Sequence, residues 1–356
     1  MNKLSPGLLR FHDTFQPRIW GGQNLRALFN KDVPAQPVGE DWLISDHPSA
    51  ESVVSTGPFA GLTLRGLIER DAGGILGKLP QLTPQGRFPL LLKLIDAADV
   101  LSVQVHPDDQ CARRFGEPDV GKTEMWHVLH AEHGGELMCG LQPDVTPEKL
   151  RQSIADGALQ DLMSHNEAVP GLSLLVPAGA LHAIGAGVLL AEIQQNSDLT
   201  YRLYDWNRVD NQGKPRQLHL EKGFKAIHFG KEPPKPAEPL HYDCDGARCS
   251  VLAACPYFAA ELIQLNGDYH RLTNGNSFQI LLVKEGSIQA AAGEDIATLN
   301  PGESALVPGD LYLFELSGNG AILDYYVPDL PTEITEKLQT AGHTLDQIEA
   351  LGAGTF

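Results

Sequence analysis

Leu101–Trp126, LSVQVHPDDQCARRFGEPDVGKTEMW, holds two short strand-like runs whose polar residues fall on one face. In LSVQVH, Leu101, Val103 and Val105 alternate with Ser102, Gln104 and His106, and side chains two apart share a face of a strand. Lys122, Glu124 and Trp126 of KTEMW share a face in the same way. A face carrying an amide, an imidazole, a carboxylate and an ammonium is not a core face. It reads either as a site or as the polar outer face of an ordinary sheet. Pro107 cannot continue a central ladder, so the first run ends there, and DDQCARRFG after it reads as a short helix.

As a site, such a face needs a compensating partner, since an unpaired buried polar or charged group costs on the order of several kcal/mol or is forced to neutralise. A borderline cation meets that need: zinc takes imidazole nitrogen and carboxylate oxygen, and open coordination positions make it catalytic. Ligand type narrows the metal without fixing it, so cobalt, manganese and iron stay open beside zinc.

The whole chain sets the bounds. With 356 residues it is long enough for a large buried core and for two or three domains. Its 42% hydrophobic and 20% charged residues are those of a soluble globular protein. The start lacks an apolar run of signal-peptide length and no stretch is apolar enough to span a bilayer, so a cytoplasmic protein without a membrane partner is expected. A net charge of −18 without any basic stripe argues against a nucleic-acid partner. An anionic substrate would therefore have to find a local basic island. Five cysteines at irregular spacing suggest no disulfide framework, and Cys244, Cys249 and Cys255 fit no common zinc spacing.

Residues 1 to about 100 alternate short apolar runs with Gly and Pro, which fits strands and turns better than long helices. FPLLLKLIDAADVLSVQVH gives two strands. A helical insertion is expected over TPEKLRQSIADGALQDLMSHNE, with Thr146 as N-cap and Pro147 at the first helical position. Strand character returns at Leu172, and the linker GKEPPKPAEP marks a boundary. Residues 240–328 read as a second all-β unit. PTEITEKLQTAG and TLDQIEALGAG read as two short helices, the second opened by a Thr344–Gln347 capping box, together a surface appendage.

The most specific signal is Gly171-LSLLV-Pro177-Ala-Gly179-AL-His182. It resembles the second signature of the cupin barrels, in which a Pro-Gly turn between strands places one imidazole in the barrel mouth. One departure is Ala186, where an Asn often follows. The first cupin signature is matched loosely by Gln104-x-His106 and Glu124, with Gln in place of the first His and a longer gap to the Glu. Together Gln104, His106, Glu124 and His182 form an N/O ligand set with room for water or substrate.

KLIDAADVLSVQVHPDD, GKTEMWHVL, VPAGALHAIGAGVLLAEIQQNSDLTYRLYDWNRVD and RQLHLEKGF, with the early WGG and GPFAGLTL, resemble the type I phosphomannose isomerases across most of residues 11–225. That resemblance implies an aldose-ketose isomerase interconverting mannose 6-phosphate and fructose 6-phosphate through an enediol-like intermediate. It implies one Zn2+ per chain, held by Gln104, His106, Glu124 and His182. It implies that Arg202 is catalytic and that Ser102 and Lys122 hold the substrate. The implied fold is mainly β: two cupin-type jelly-roll barrels with a small helical insertion. Residues 1–140 plus 171–230 would form the metal-binding cupin, 141–170 the insertion, 240–328 a degenerate second cupin, and 329–356 a helical extension. A monomer is favoured.

The residues themselves support Arg202. In TYRLYDW, Thr200, Arg202 and Tyr204 share a strand face, and a guanidinium beside a metal stabilises an oxyanion or engages a phosphate. Glu192, with Leu190 and Gln194 on the strand after His182, is the proposed proton-transfer base, while Asp198, Asp205 and Glu40 compete for that role; Lys122 is counted with Glu192 and Arg202 as catalytic. His127, His130 and His133 are spaced by three, which disperses them over two faces of a strand. In the second unit Gly302-ESALV-Pro308 starts a cupin signature, but Leu313 stands where its ligand would fall. Two other functions compete. His106, Asp108 and His182 could form an iron site for an oxygenase, although Pro107 turns Asp108 away. A non-catalytic sugar-binding cupin is the other.

Overall fold

The computed structural model describes residues 7–209 and 212–353. Its first unit is built from two antiparallel sheets. One runs in the order Phe15–Gly22, Val38–Ile44, Leu90–Ala97, Val188–Gln195, Glu124–Ala131, Ser173–Val176. The other runs Tyr201–Tyr204, Val103–Val105, His182–Ile184, Glu136–Leu141, Met163–Glu167. This is the expected mainly β, jelly-roll arrangement; the sheets face each other without joining into one closed ladder.

Strand alternation divides the layers. In Leu90–Ala97, Leu90, Leu92 and Leu94 point outward into a core shared with the second unit, while Ile95 and Ala97 point inward with Trp126, Ile184 and Leu190. Every residue of Leu90–Ala97 and of Val188–Gln195 is buried, as befits strands covered on both faces. Outside the five-stranded sheet, Val103, Val105 and Ala183 pack under Leu150 and Ala226 of two short helices, Pro147–Asp156 and Leu220–Ala226. The space between the sheets is thus apolar at one end and is left to Gln104, His106, Glu124, His182 and Glu192 at the other.

The second unit is an eight-stranded antiparallel sheet, dominated by the long strands Gln279–Ala292 and Leu313–Tyr326. Its outward residues Leu252, Phe258, Phe278, Ile280 and Leu323 join the first unit's Leu92, Leu94 and Ile193 in one core. Leu313 is 40% exposed, so nothing at that position faces a site.

Three expectations are corrected. Residues 64–76 form a helix, Leu64–Leu76, capped by Thr63, whose side chain accepts from the Gly66 N–H. Its Gly73 and Gly74 and its kink at Asp71 masked the helical pattern. Within the insertion, the helix ends at Asp156, one 3-10 turn follows at Leu159–Leu162, and Met163–Glu167 is a strand paired with Glu136–Leu141. The alternation Met163 buried, His165 exposed is too short to show against the preceding helix.

The C-terminal segment is not a surface appendage. Ile334, Leu338, Ile348 and Leu351 are buried against Leu240, Val251, Ala254, Ala259 and Tyr326. Full burial of such a side chain stabilises by about 1.5–3 kcal/mol, enough in sum to fix two short helices that would not stand alone. The Thr344–Gln347 capping box is formed as read. No described helix is long and apolar enough to cross a membrane.

Candidate metal centre

Register brings the centre together. His182 pairs with Gln104 across neighbouring strands of the five-stranded sheet, and Arg202 pairs with Gln104 from its other side. On the facing sheet Glu124 lies opposite Gln194, and Glu192 opposite both Trp126 and Lys93. Pro107 ends the Val103–Val105 strand, and Gly179, at φ 84, turns the chain back; its N–H donates to the His106 carbonyl.

His106, Glu124 and His182 bring one ligand atom each to within 4.8 Å of one another, and all three are buried. Nε2 of His106 lies 3.4 Å from Glu124 Oε2, and Nε2 of His182 lies 3.4 Å from Glu124 Oε1. Each Nδ1 has a backbone carbonyl: Leu199 O at 2.6 Å for His106, Ala180 O at 3.0 Å for His182. Such a bond holds the proton on Nδ1 and leaves the Nε2 lone pair facing inward, the orientation that a metal-binding histidine requires. Glu124 Oε1, buried in the same spot, accepts no hydrogen bond. Gln104 completes the ring, its amide 3.4 Å from His182 Nε2 and 3.3 Å from Ser102 Oγ. A buried carboxylate with one oxygen on the Lys122 ammonium and the other without a donor, between two outward-tethered imidazoles, fits a divalent cation.

Electrostatics agree with that fit. Burial lowers His182 to about 4, and burial with the nearby Lys122 charge takes His106 well below its ordinary value. Both rings are therefore neutral donors at pH 7. Burial, and then the Glu192 charge, push Glu124 up to about 7. Burial also acts on Glu192, but the Lys93 and Lys122 ammoniums outweigh it and hold Glu192 below the ordinary carboxylate range.

The centre opens on a cavity of about 420 Å³ lined by five cations, Arg18, Lys93, Lys122, Arg202 and Arg216, against three carboxylates, Glu40, Glu192 and Asp198. In a chain of net charge −18 this is the basic island that an anionic ligand needs. Lys122 Nζ is 2.8 Å from Glu124 Oε2, 3.2 Å from His106 Nε2 and 3.7 Å from Glu192 Oε1. Arg202 Nε donates to Ser102 Oγ at 3.1 Å, and its NH1 donates to the Gln217 carbonyl at 3.1 Å.

The competitors for the base are accounted for differently. Glu40 is held by two Arg18 bonds of 3.1 Å and by Trp42 Nε1 at 2.6 Å. Asp205 is paired with Arg208 and Arg216 and is a strut of that loop. Asp198 lines the cavity. Glu192 Oε2 accepts from Trp126 Nε1 at 2.8 Å and its Oε1 is 3.0 Å from Lys93 Nζ.

Tyr204 departs from the shared face expected for it. A bulge after Arg202 rotates it outward, where it packs with Tyr201 and Leu203. Asp108 caps the Asp109–Phe115 helix, accepting from the Cys111 N–H at 2.6 Å, and so is committed away from the centre. That removes the carboxylate which the oxygenase reading needs. His127 is buried on Ser173 Oγ at 2.9 Å and takes no part.

Lys93 was not singled out from the sequence, nor were Arg18 and Arg216. For Lys93 a signal exists, a lone ammonium within the apolar run LLLKLI. Such a residue is buried only beside carboxylates, here Glu192 and Glu40, the latter at 3.9 Å.

Comparisons with known proteins agree with this geometry. Residues 8–144 match the model of the phosphomannose isomerase type I catalytic domain, and residues 249–327 that of the mannose-6-phosphate isomerase cupin domain. The chain is 36% identical over 311 residues to the mannose-6-phosphate isomerase ManA of Bacillus subtilis, covering 87% of this chain and 96% of that protein. It is 35% identical over 306 residues to the mannose-6-phosphate isomerase of Streptococcus mutans, covering 86% and 94%. The crystal structure of the mannose 6-phosphate isomerase from Bacillus subtilis superposes with a TM-score of 0.81 at 32% identity, over 90% of this chain and 99% of that one. With its two matched domains in this order and a His106, Glu124 and His182 centre between its sheets, the chain belongs to the type I phosphomannose isomerases.

Proposed function

We propose that this protein interconverts mannose 6-phosphate and fructose 6-phosphate, using one zinc ion held by Gln104, His106, Glu124 and His182. The observation that carries the reading is the convergence of three buried N/O donors at the mouth of a cavity richer in cations than in carboxylates. A divalent cation bound there acts as a Lewis acid on a carbonyl or hydroxyl oxygen.

The side chains supply the rest. Lys122 and Ser102 position the substrate beside the ligands, and the surrounding arginines and lysines meet its phosphate. Glu192, kept ionised by Lys93 and Lys122, takes the proton from C2 of the aldose and returns it to C1 of the enediol-like intermediate. Arg202 faces the charge that develops on the oxygens during that transfer, where a fixed donor lowers the barrier most. Five free cysteines suit a reducing compartment, the cytoplasm.

Metal analysis of the purified protein, coupled to an assay of mannose 6-phosphate conversion, tests the proposal. One zinc per chain with isomerisation is expected. A protein that holds metal but converts no sugar phosphate would be a binding cupin. Running the reaction from C2-deuterated substrate checks the proton route: complete transfer of label to C1 without any washout would indicate a hydride shift and remove Glu192 from its role.

A further inference from the structure

Of the three cysteines clustered in the second unit's sequence, Cys255 is sealed in the core between the units, and the other two meet. Cys244 ends the strand Leu240–Cys244, and Cys249 lies on Ala247–Ala254, with only Asp245 and Gly246 between the strands. Cys244 is opposite Ala247 and Cys249 opposite Tyr242, so the two cysteines occupy diagonal positions on one face of the hairpin. Their Sγ atoms are 3.5 Å apart, with the Cys249 thiol donating to Cys244 Sγ. Cys249 is fully buried and Cys244 is partly buried at the tip of the hairpin, between the exposed Asp243 and Asp245. None of this serves the metal centre.

We propose that Cys244 and Cys249 form a reversible dithiol–disulfide site, with Cys244 as the thiol that attacks a hydroperoxide and Cys249 as the thiol that resolves it. The Cys244 thiolate attacks the terminal peroxide oxygen, breaking the O–O bond, and becomes a sulfenic acid; the leaving oxygen takes a proton. The Cys249 sulfur then displaces the sulfenic oxygen as water and the S–S bond forms. Two thiols are oxidised and one peroxide is reduced. Accessibility assigns the roles: oxidant reaches the tip first, and the partner already aims its S–H at the sulfur it will join. The chemistry concurs, since the Cys249 hydrogen bond, helped by Arg271 and Lys337, outweighs burial and the Glu261 charge and lowers Cys244 to about 7.

Bonding requires the sulfurs to close from 3.5 Å to about 2.0 Å. The movement falls on the thinly buried tip. A bridge that draws this diagonal together would hold the tip under tension, and strained disulfides are the readily reduced ones, so mild thiol reductant should reverse it.

Trypsin tests this directly, because Arg248 lies between the two cysteines. After hydrogen peroxide, the native chain should lose two alkylatable thiols and the mass of two hydrogens. The peptide ending at Arg248 should then stay joined to the one beginning at Cys249 until dithiothreitol is added. That measurement needs no variant to fold. In Cys249→Ser, Cys244 should stop at a sulfenic acid trapped by dimedone; in Cys244→Ser no linked peptide should form. Linkage through Cys255, accumulation of Cys244 sulfinic acid without linkage, or all five thiols still alkylatable after peroxide would each overturn the proposal.

Discussion

Lys122 Nζ stands 2.8 Å from Glu124 Oε2, with both side chains all but excluded from water. A buried ammonium beside a buried carboxylate is often a structural pair, but here the carboxylate also faces two imidazoles. A cation held by Glu124 would neutralise it and leave the ammonium for an anionic substrate. Lys122→Met should therefore leave metal content close to normal and lower kcat/KM by about ten- to a hundredfold, the loss of a charge-assisted contact of about 1.5–3 kcal/mol. Steady-state kinetics with metal analysis on the same preparation decides it, and an unchanged kcat/KM would remove Lys122 from the site.

The Arg202 side chain is attached to the centre through Ser102, not through any ligand side chain. Its removal should spare the metal and strike the chemical step. Arg202→Ala is expected to retain metal and to lose about a hundred- to a thousandfold in kcat, by analogy with the loss of an oxyanion donor. Near-normal turnover would show that it only braces Ser102 and Gln217.

His106→Ala and His182→Ala should each lose metal and activity together, and a chelator should do the same to the native chain. Each ring's Nδ1 is committed to a carbonyl, so neither can be replaced by the other. Among the described residues this is the only His, Cys, Asp and Glu grouping of metal-binding geometry, and stoichiometry should not exceed one per chain. Either variant with full metal content would refute the ligand assignment, and a second tightly held metal would refute the single centre.

Much of this centre was legible because it lies on strands, where period two reports a face directly. Ser102, Gln104 and His106 needed only alternation, and Pro177 with Gly179 announced the turn before His182. What period two could not reveal was the bulge that turns Tyr204 away, or the cross-strand partner of Glu192, since Lys93 is remote in sequence and register decides the pairing. The Leu64–Leu76 helix was hidden by its glycines, and the burial of the tail by its shortness: four apolar residues in two short helices gain meaning only against a sheet that receives them.

Leu338 makes that last point measurable. It is fully buried where the C-terminal helices cover Val251, Ala259 and Tyr326. Leu338→Ala should lower unfolding free energy by about 2–5 kcal/mol, the usual range for a buried leucine. Denaturant unfolding of both chains provides the comparison. A change within experimental error would restore the tail to the status of an appendage.

Asp324 offers a pH-dependent test in the interior of the second unit. It lies cross-strand from Glu261, and the two carboxylates are served unequally. Glu261 gathers Arg271 at 2.5 Å, Lys337 at 3.1 Å, Tyr326 OH at 2.6 Å and Tyr242 OH at 2.7 Å. Asp324, also at zero exposure, accepts no hydrogen bond and reaches only Arg271 Nε at 3.8 Å. Burial therefore raises Asp324 from 3.8 to about 7, against the Arg271 charge. A folded-state value above the unfolded one means that the native chain holds a proton which the unfolded chain has given up. Whatever stability Asp324 confers is thus fully present below about pH 3.8 and is lost as pH rises through about 7. Asp324→Asn, neutral at every pH, should be more stable than the native chain at pH 8, with the advantage shrinking steadily as pH falls below 7. Denaturant titrations at pH 8 and pH 5 measure the difference, and a gap that does not change with pH would mean that Asp324 is ionised throughout and satisfied by Arg271 alone.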